Sequence, residues 1–216
     1  MKPFLSQEDR DHLENRVAEA EKLTNSQIVL ATVRRSDSYA EIPWKAFTMC
    51  AALAGLLVFI LNLIISIWLN DIIVLISIMA TLATGALGVL LTIVFPWFAR
   101  LFLTGNRAEA EVRQYAESVF LSRELFSTSH RTGILLLISR FERKVVILPD
   151  KGLSDNVAGE DLDKVIALMK EPLSRNDIRE AMDLALDEFI RIIRPLSSPL
   201  GAGDELSNRI IEEKGV

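Results

Sequence analysis

Nucleophiles and soft ligands are scarce in this sequence. Cys50 is the only cysteine, and His12 and His130 are the only histidines. A lone cysteine forms no intrachain disulfide, which fits a reducing compartment. Cys50 also lies inside an apolar run, which removes it as the partner of a catalytic His. No Cys-x5-Arg, Gly-x-Ser-x-Gly or P-loop pattern occurs, so those hydrolytic and phosphate-binding chemistries have no footing here. The net charge is −5, without the concentrated basic face of a nucleic-acid binder. Internal repeats and low-complexity segments are absent.

Charge is missing from a long internal stretch as well. Between Ala46 and Ala99 the only charged residue is Asp71. The block divides at Asn70–Asp71 into Ala46–Leu69 and Ile72–Ala99, each longer than the ~20 residues that cross a bilayer. At about 1.5 Å per residue the first is about 36 Å long. Both must be helical, because lipid offers backbone groups no other partner. Trp44 and Trp68 bracket the first span and Trp97 closes the second, where indole favours the headgroup level. Pro96 lies near the end of the second span, where a kink costs least. Gly85 and Gly88, with Gly55 on the other helix, permit close helix contact. The interior holds no ionisable residue of the kind a transporter or proton relay uses.

Arg34, Arg35 and Lys45 precede the hairpin; Arg100, Arg107 and Arg113 follow it; the turn has neither Lys nor Arg. The positive-inside rule therefore predicts a multi-pass protein of the cytoplasmic (inner) membrane with both termini cytoplasmic. Met1–Arg10 is polar and lacks the apolar core of a signal peptide.

About 160 residues remain outside the hairpin, enough for one compact domain. Ser6 and Asp9 form a capping-box pattern, with Leu5 as a staple, ahead of a helix from about Gln7 to Leu23. Gln27–Val33 is a β-rich run. After the hairpin come a helix over roughly Arg107–Leu125, an apolar strand Gly133–Ser139, a turn at Arg140–Arg143 and a returning strand Lys144–Leu148. Leu162, Val165, Ile166 and Met169 mark a further helix. Ser174 and Asp177 give a second capping-box pattern before a helix that Pro195 ends. A single strand before the hairpin cannot satisfy its backbone alone. Ile28–Val33 is therefore expected beside Gly133–Ser139, and the hairpin to interrupt one domain. The expected organisation is a discontinuous domain of residues 1–45 and 100–194, a hairpin of residues 46–99, and a tail of residues 195–216. Within that tail Pro195–Asp204 reads as a linker, leaving Glu205–Glu213 as a short segment, docked or loose.

This order resembles the TPM domain family, the TPM phosphatase fold, and in particular its bacterial membrane branch with a two-helix hairpin inside the domain. The resemblance rests on Phe4-Leu5-Ser6 with the acidic run Ala18–Glu21, on Ser26-Gln27-Ile28, on Arg131-Thr132-Gly133 leading into Ile134-Leu135-Leu136, on Asp150-Lys151-Gly152-Leu153, and on the tail Asp204–Arg209. It implies an α/β sandwich with a small mixed sheet flanked by helices, divalent-cation binding (Ca²⁺ or Mg²⁺), and for some members phosphatase activity. The family's part in assembly or repair of membrane complexes raises a non-enzymatic role. The chain departs from the pattern in having Ser26-Gln27 where relatives often have Gly-Glu, Thr132 where they have Asn, and Pro149 where they have Gly. Any ligand role of that Glu in relatives does not carry over to this chain, which has Gln27 there.

Asp150, Asp155, Glu160, Asp161 and Asp163 fall within fourteen positions after the returning strand, and hard oxygen donors in a turn suit Ca²⁺ or Mg²⁺. An EF-hand register fails, because Asp155 falls where that loop needs Gly. Asp150, Asp155 and Asp161 are the candidate metal ligands. The alternative is turn chemistry plus acids that favour a helix N-terminus. Gly152 is expected to serve the backbone conformation of this turn. Arg131, Lys151 and Gly152 are the candidate phosphate contacts, because Arg pairs bidentately with phosphate; Arg131 paired with an acid is the competing reading. The expected partners are the lipid bilayer and other membrane proteins or a second copy, not nucleic acid. The expected role is a cytosolic TPM-like module that binds a divalent cation or a protein without clear catalysis. A metal-dependent phosphatase acting on phosphomonoesters is the alternative.

Overall fold

The computed structural model describes residues 5–65, 71–128, 130–154, 157–194 and 210–215. The chain forms two units, one of Met1–Asp37 with Glu109–Val216 and one of Ser38–Ala108.

The first unit is built on a sheet. Helix α1 (Gln7–Thr24) begins at the expected capping box: Ser6 Oγ accepts from Asp9 N, and Ser6 N donates to the Asp9 carboxylate. It ends at Asn25, whose left-handed φ of 49° closes the last turn. The Asp9 carboxyl is held below its ordinary value of 3.8, chiefly by the hydrogen bond from Ser6 and then by Arg179, against a smaller pull upward from desolvation. A depressed acid stabilises fully above its ordinary value and loses that contribution as pH falls through the folded value. Protection of the amides along the first turn of α1, taken against their intrinsic exchange rates, is therefore expected to fall below about pH 4. In Asp9→Asn the same turn should exchange faster at neutral pH and change little on acidification. An acid response equal to that of the wild type would refute the assignment.

Among the described residues the strands form one sheet in the order β3-β2-β1-β4. These are β1 (Gln27–Arg35), β2 (Gly133–Ser139), β3 (Lys144–Pro149) and β4 (Ile211–Gly215). β1 lies parallel to β2 in the register Gln27↔Gly133 to Val33↔Ser139. This is the neighbour expected for a strand with no local partner. β3 returns antiparallel to β2 as the expected hairpin. β4 lies parallel on the other side of β1, from Ala31↔Ile211 to Arg35↔Gly215. Residues 195–216 are thus not all tail: the end of the chain is a strand of the sheet.

Period-two alternation sorts the strand residues to two faces. Ile28, Leu30, Ile134, Leu136, Ile138 and Ile147 pack with α1, α7 (Gly159–Ser174) and α8 (Ile178–Ile193). Val29, Ala31, Val33, Leu135 and Leu137 pack with α5 (Gly105–Ser122) and a 3₁₀ turn, Leu125–Ser127. Both faces of β2 are covered, which explains its unbroken apolar sequence. One expected cap is corrected. Asp177 alone caps α8, accepting from Glu180 N, while Ser174 belongs to the end of α7 and donates to Glu171 O. The short local bond wins because Ser174 is still inside a helical turn.

In the second unit α2 (Glu41–Ile65) and α3 (Asp71–Val94) are each long and apolar enough to cross a membrane. Their large side chains stand outward: Leu63 is 73% exposed and Ile93 71%. A core helix of that composition would be buried. The first helix starts earlier than expected, at Glu41, taking in Pro43 and Trp44 in its first turn, where Pro is tolerated; the end of the first span, Ser66–Leu69, lies outside the described residues. The second span is not one helix to Ala99. Phe95 is extended, and Pro96 opens a short helix, α4 (Pro96–Arg100). A residue before Pro is driven out of the helical region, and Pro itself suits a first helical position. The helices come close at Gly85 and Gly88. A Cβ on Gly85 would stand 2.8 Å from the Phe47 ring, and one on Gly88 would stand 2.6 Å from Cys50 Sγ. Gly55 has nothing within 4 Å and takes no part in this contact.

Candidate functional site

The residues singled out by sequence meet where β2 begins and β3 ends. Arg131 has a left-handed φ of 55° and turns the chain into Thr132 and β2. Pro149 stands opposite Ile134, and Asp150 N donates to Gly133 O at 2.7 Å, closing the ladder. The next residues coil into a single helical turn, α6 (Lys151–Ser154). Both loops are therefore fixed to the same end of one β-hairpin.

Asp150 is 4% exposed, and both of its carboxylate oxygens are hydrogen-bonded. Oδ2 accepts from Arg131 Nε at 2.8 Å; Oδ1 accepts from Arg131 Nη2 at 2.8 Å and from Lys151 N at 2.7 Å. This is a bidentate pair between a buried acid and a half-exposed base. The hydrogen bonds it donates to Asp150, and then the charge of that carboxylate, hold the Arg131 guanidinium above its ordinary value. The competing reading of Arg131, an ion pair with an acid, is the arrangement observed.

The backbone of this turn is spent on itself. Gly152 N donates to Arg131 O at 2.9 Å, and Leu153 N and Ser154 N donate to Asp150 O at 2.9 and 2.8 Å. With Lys151 N on the Asp150 carboxylate, no amide from Lys151 to Ser154 is left to cradle a phosphate. Gly152 is needed here for a different reason from the one expected. Its φ is not positive; a Cβ there would stand 2.4 Å from His130 O and 2.7 Å from Arg131 O. The glycine lets two turns touch. Lys151 is exposed and has no acidic partner among the described residues.

The other acids lie apart from this pair in their bonding. Asp161 accepts from Lys164 Nζ at 2.8 Å in the first turn of α7. Lys164 is raised by that bond, and Glu188 is lowered chiefly by its hydrogen bond from Arg191. Asp155 lies outside the described residues. Among the described residues no three His, Cys, Asp or Glu side chains gather as a metal-holding group. A divalent cation chelated by both Asp150 oxygens would have to compete with the Arg131 guanidinium for them.

Three acids that sequence reasoning passed over hold the fold together. Glu142, in the β2–β3 turn and 7% exposed, accepts from Ser36 N at 2.9 Å and from Ser139 Oγ. Glu212 and Glu213 alternate on β4 and reach opposite faces. Glu212 accepts from Leu5 N at 2.8 Å and pairs with Arg10. Glu213 accepts from Tyr115 Oη at 2.5 Å and stands 3.5 Å from Arg123 Nη2. Burial, and then the bond to Glu213, push the Tyr115 phenol up, so it stays a donor. The sequence Ile210-Ile211-Glu212-Glu213 carries no apolar–polar alternation that would have marked it as a strand.

Residues 100–192 match the family model of the TPM domain. The match takes in α5, β2, β3 and the helices after them; α1, β1 and β4, which complete the sheet, lie outside it. No curated protein sequence matches the chain. Among solved structures, the NMR structure of BA42 protein from the psychrophilic bacterium Bizionia argentinensis sp. nov. is similar, with a TM-score of 0.59 at 14% identity, covering 98% of this chain and 97% of that one. At that identity the likeness is one of fold.

Proposed function

We propose that the chain is a membrane-anchored TPM-domain protein whose soluble unit is a protein-interaction module and not a hydrolase. The observation that carries this reading is the Arg131–Asp150 turn, in which the acid, the base and the amides of residues 151–154 are all used to hold the turn itself. A phosphomonoesterase needs a free nucleophile or an activated water. His12, the histidine whose contacts are known, is occupied by Asp183 at 3.0 Å. The placement proposed is the cytoplasmic membrane, with both termini cytoplasmic, supported by the Lys and Arg that flank the two apolar helices.

The experiment has two arms on the full chain in detergent. In the first, Ca²⁺ or Mg²⁺ is titrated against the wild type and Asp150→Ala while thermal unfolding is followed. Neither protein is expected to show a saturable shift in midpoint. A shift in the wild type that Asp150→Ala loses would establish a cation site instead. Turnover of a generic phosphomonoester that needs both Mg²⁺ and Asp150 would establish the phosphatase. In the second arm, cross-linking in native membranes is expected to join the soluble unit to another membrane protein or a second copy. Recovery of uncross-linked chain alone would refute the interaction role.

A further inference from the structure

We infer that the outer edge of β1 is a strand-docking groove, filled within one molecule by β4, and that the same groove accepts the β4 of a second copy. The inference rests on the interaction reading above and names the surface and the occupant.

The groove has a short backbone address and two side-chain addresses. β1 runs beside β2 from Gln27 to Val33, but beside β4 only from Ala31 to Arg35. Upstream, Ile28 N donates not to a strand but to Glu21 Oε1 at 2.8 Å. The open edge that a strand can take is therefore the last five residues of β1. On one face of that edge stand Arg10 and Leu5 N, and on the other Tyr115 and Arg123. An extended segment with acids at two successive positions meets both, because successive side chains point to opposite faces. A residue that follows two positions later must be glycine. A Cβ on Gly215, with its φ of +72°, would fall 1.5 Å from Arg35 O. Ile-Glu-Glu-Lys-Gly meets these requirements, and every copy carries both groove and strand.

β4 is also the element best suited to exchange. It has five residues, binds one neighbour, and Ile211, Glu212, Glu213 and Gly215 are each only partly buried. Elements with few buried contacts open at low free energy. Seventeen residues, 194–210, with Pro195, Pro199, Gly201 and Gly203 among them, separate it from α8. Its tether gives the molecule's own strand the advantage over a strand in trans. Confinement of copies to one membrane narrows that advantage. The chemistry is that of β-augmentation, with main-chain bonds for affinity and side-chain pockets for choice.

The test mixes two forms of the full-length membrane protein in one micelle or vesicle population. The receiver is a tagged chain ending at Ser207, and the donor is the untagged wild type. The receiver is expected to retain the donor, at least ten-fold above a second untagged receiver. Donors carrying Glu212→Lys with Glu213→Lys should be lost. A receiver with Arg10→Glu should reject the wild-type donor and recover the single Glu212→Lys donor, a charge swap that only this register allows. If the shortened chain fails to protect its β2 and β3 amides, full-length Glu212→Lys with Glu213→Lys serves as receiver. Retention that ignores these charges, or none by a folded receiver, overturns the proposal. If cross-linking still joins the soluble unit to a partner in that case, strand exchange falls and the interaction role stands. If neither occurs, both fall.

Discussion

Replacing Gly152 with alanine is expected to destabilise the first unit by about 2–5 kcal/mol, a large share of what a domain of this size has. The added Cβ would meet His130 O at 2.4 Å and Arg131 O at 2.7 Å. Both are backbone atoms, so no side chain can swing aside. Relief requires one turn to withdraw from the other. That movement lengthens the Gly152 N to Arg131 O bond, now 2.9 Å, and drags on the bidentate pair between Arg131 and Asp150. Overpacking costs about 1–3 kcal/mol, and a lost or strained hydrogen bond at a buried acid adds about 1–2 kcal/mol. Gly159→Ala is the control: it opens α7 and has nothing within 4 Å. Its effect should stay within about 0.5 kcal/mol. Thermal melting of both variants in the same detergent, read at the sheet by amide protection, decides the matter. Equal stability of the two would remove the argument that contact between turns fixes this site.

What the sequence made legible follows from range. The capping box of α1 needs residues three apart, and it formed as read. The two apolar helices follow from composition alone. The pairing of β1 with β2 was reached by elimination, because a strand with no near neighbour must find a distant one. Asp150 shows the limit. Its spacing to Asp155 and Asp161 suggested a set of acids, but its partner comes from nineteen residues earlier in the chain, across a β-hairpin. Sequence spacing cannot say which neighbour a buried carboxylate meets first. β4 was harder still. Two Glu, a Lys and a Gly in five residues have little strand propensity, and the segment is a strand because β1, Arg10 and Tyr115 receive it. Strand propensity measures fit to such surroundings more than backbone preference. Pro96 was legible in kind and misread in extent: it does not bend the second helix near its end but begins another.

Glu142 is the site of the second large effect. Glu142→Leu is expected to cost about 2–4 kcal/mol, since it removes an acceptor from two buried donors at once. Ser36 is 5% exposed and Ser139 is 1% exposed, so neither can turn to water. Ser36 N bonds Glu142 Oε1 at 2.9 Å, Ser139 Oγ bonds Oε2, and Ser36 Oγ lies 3.2 Å from Ser139 Oγ. The three residues tie the end of β1 to the turn that joins β2 and β3. Leucine fills a comparable volume, so the loss is one of hydrogen bonds and not of a cavity. Glu142→Gln keeps one acceptor and should lose about 1 kcal/mol. The damage should be local in amide exchange, greatest at Ser36 and falling along β1 toward its start, where Glu21 holds Ile28 N and β2 pairs with Gln27 and Ile28 independently. Ser36 is the last buried residue of the soluble unit before the chain enters the hairpin segment at Ser38. The packing of α2 on α3 at Gly85 and Gly88 should be untouched. Uniform loss of protection across the whole sheet in Glu142→Leu would show instead that the carboxylate supports the fold as a whole, and no change at all would show that Ser36 and Ser139 find other partners.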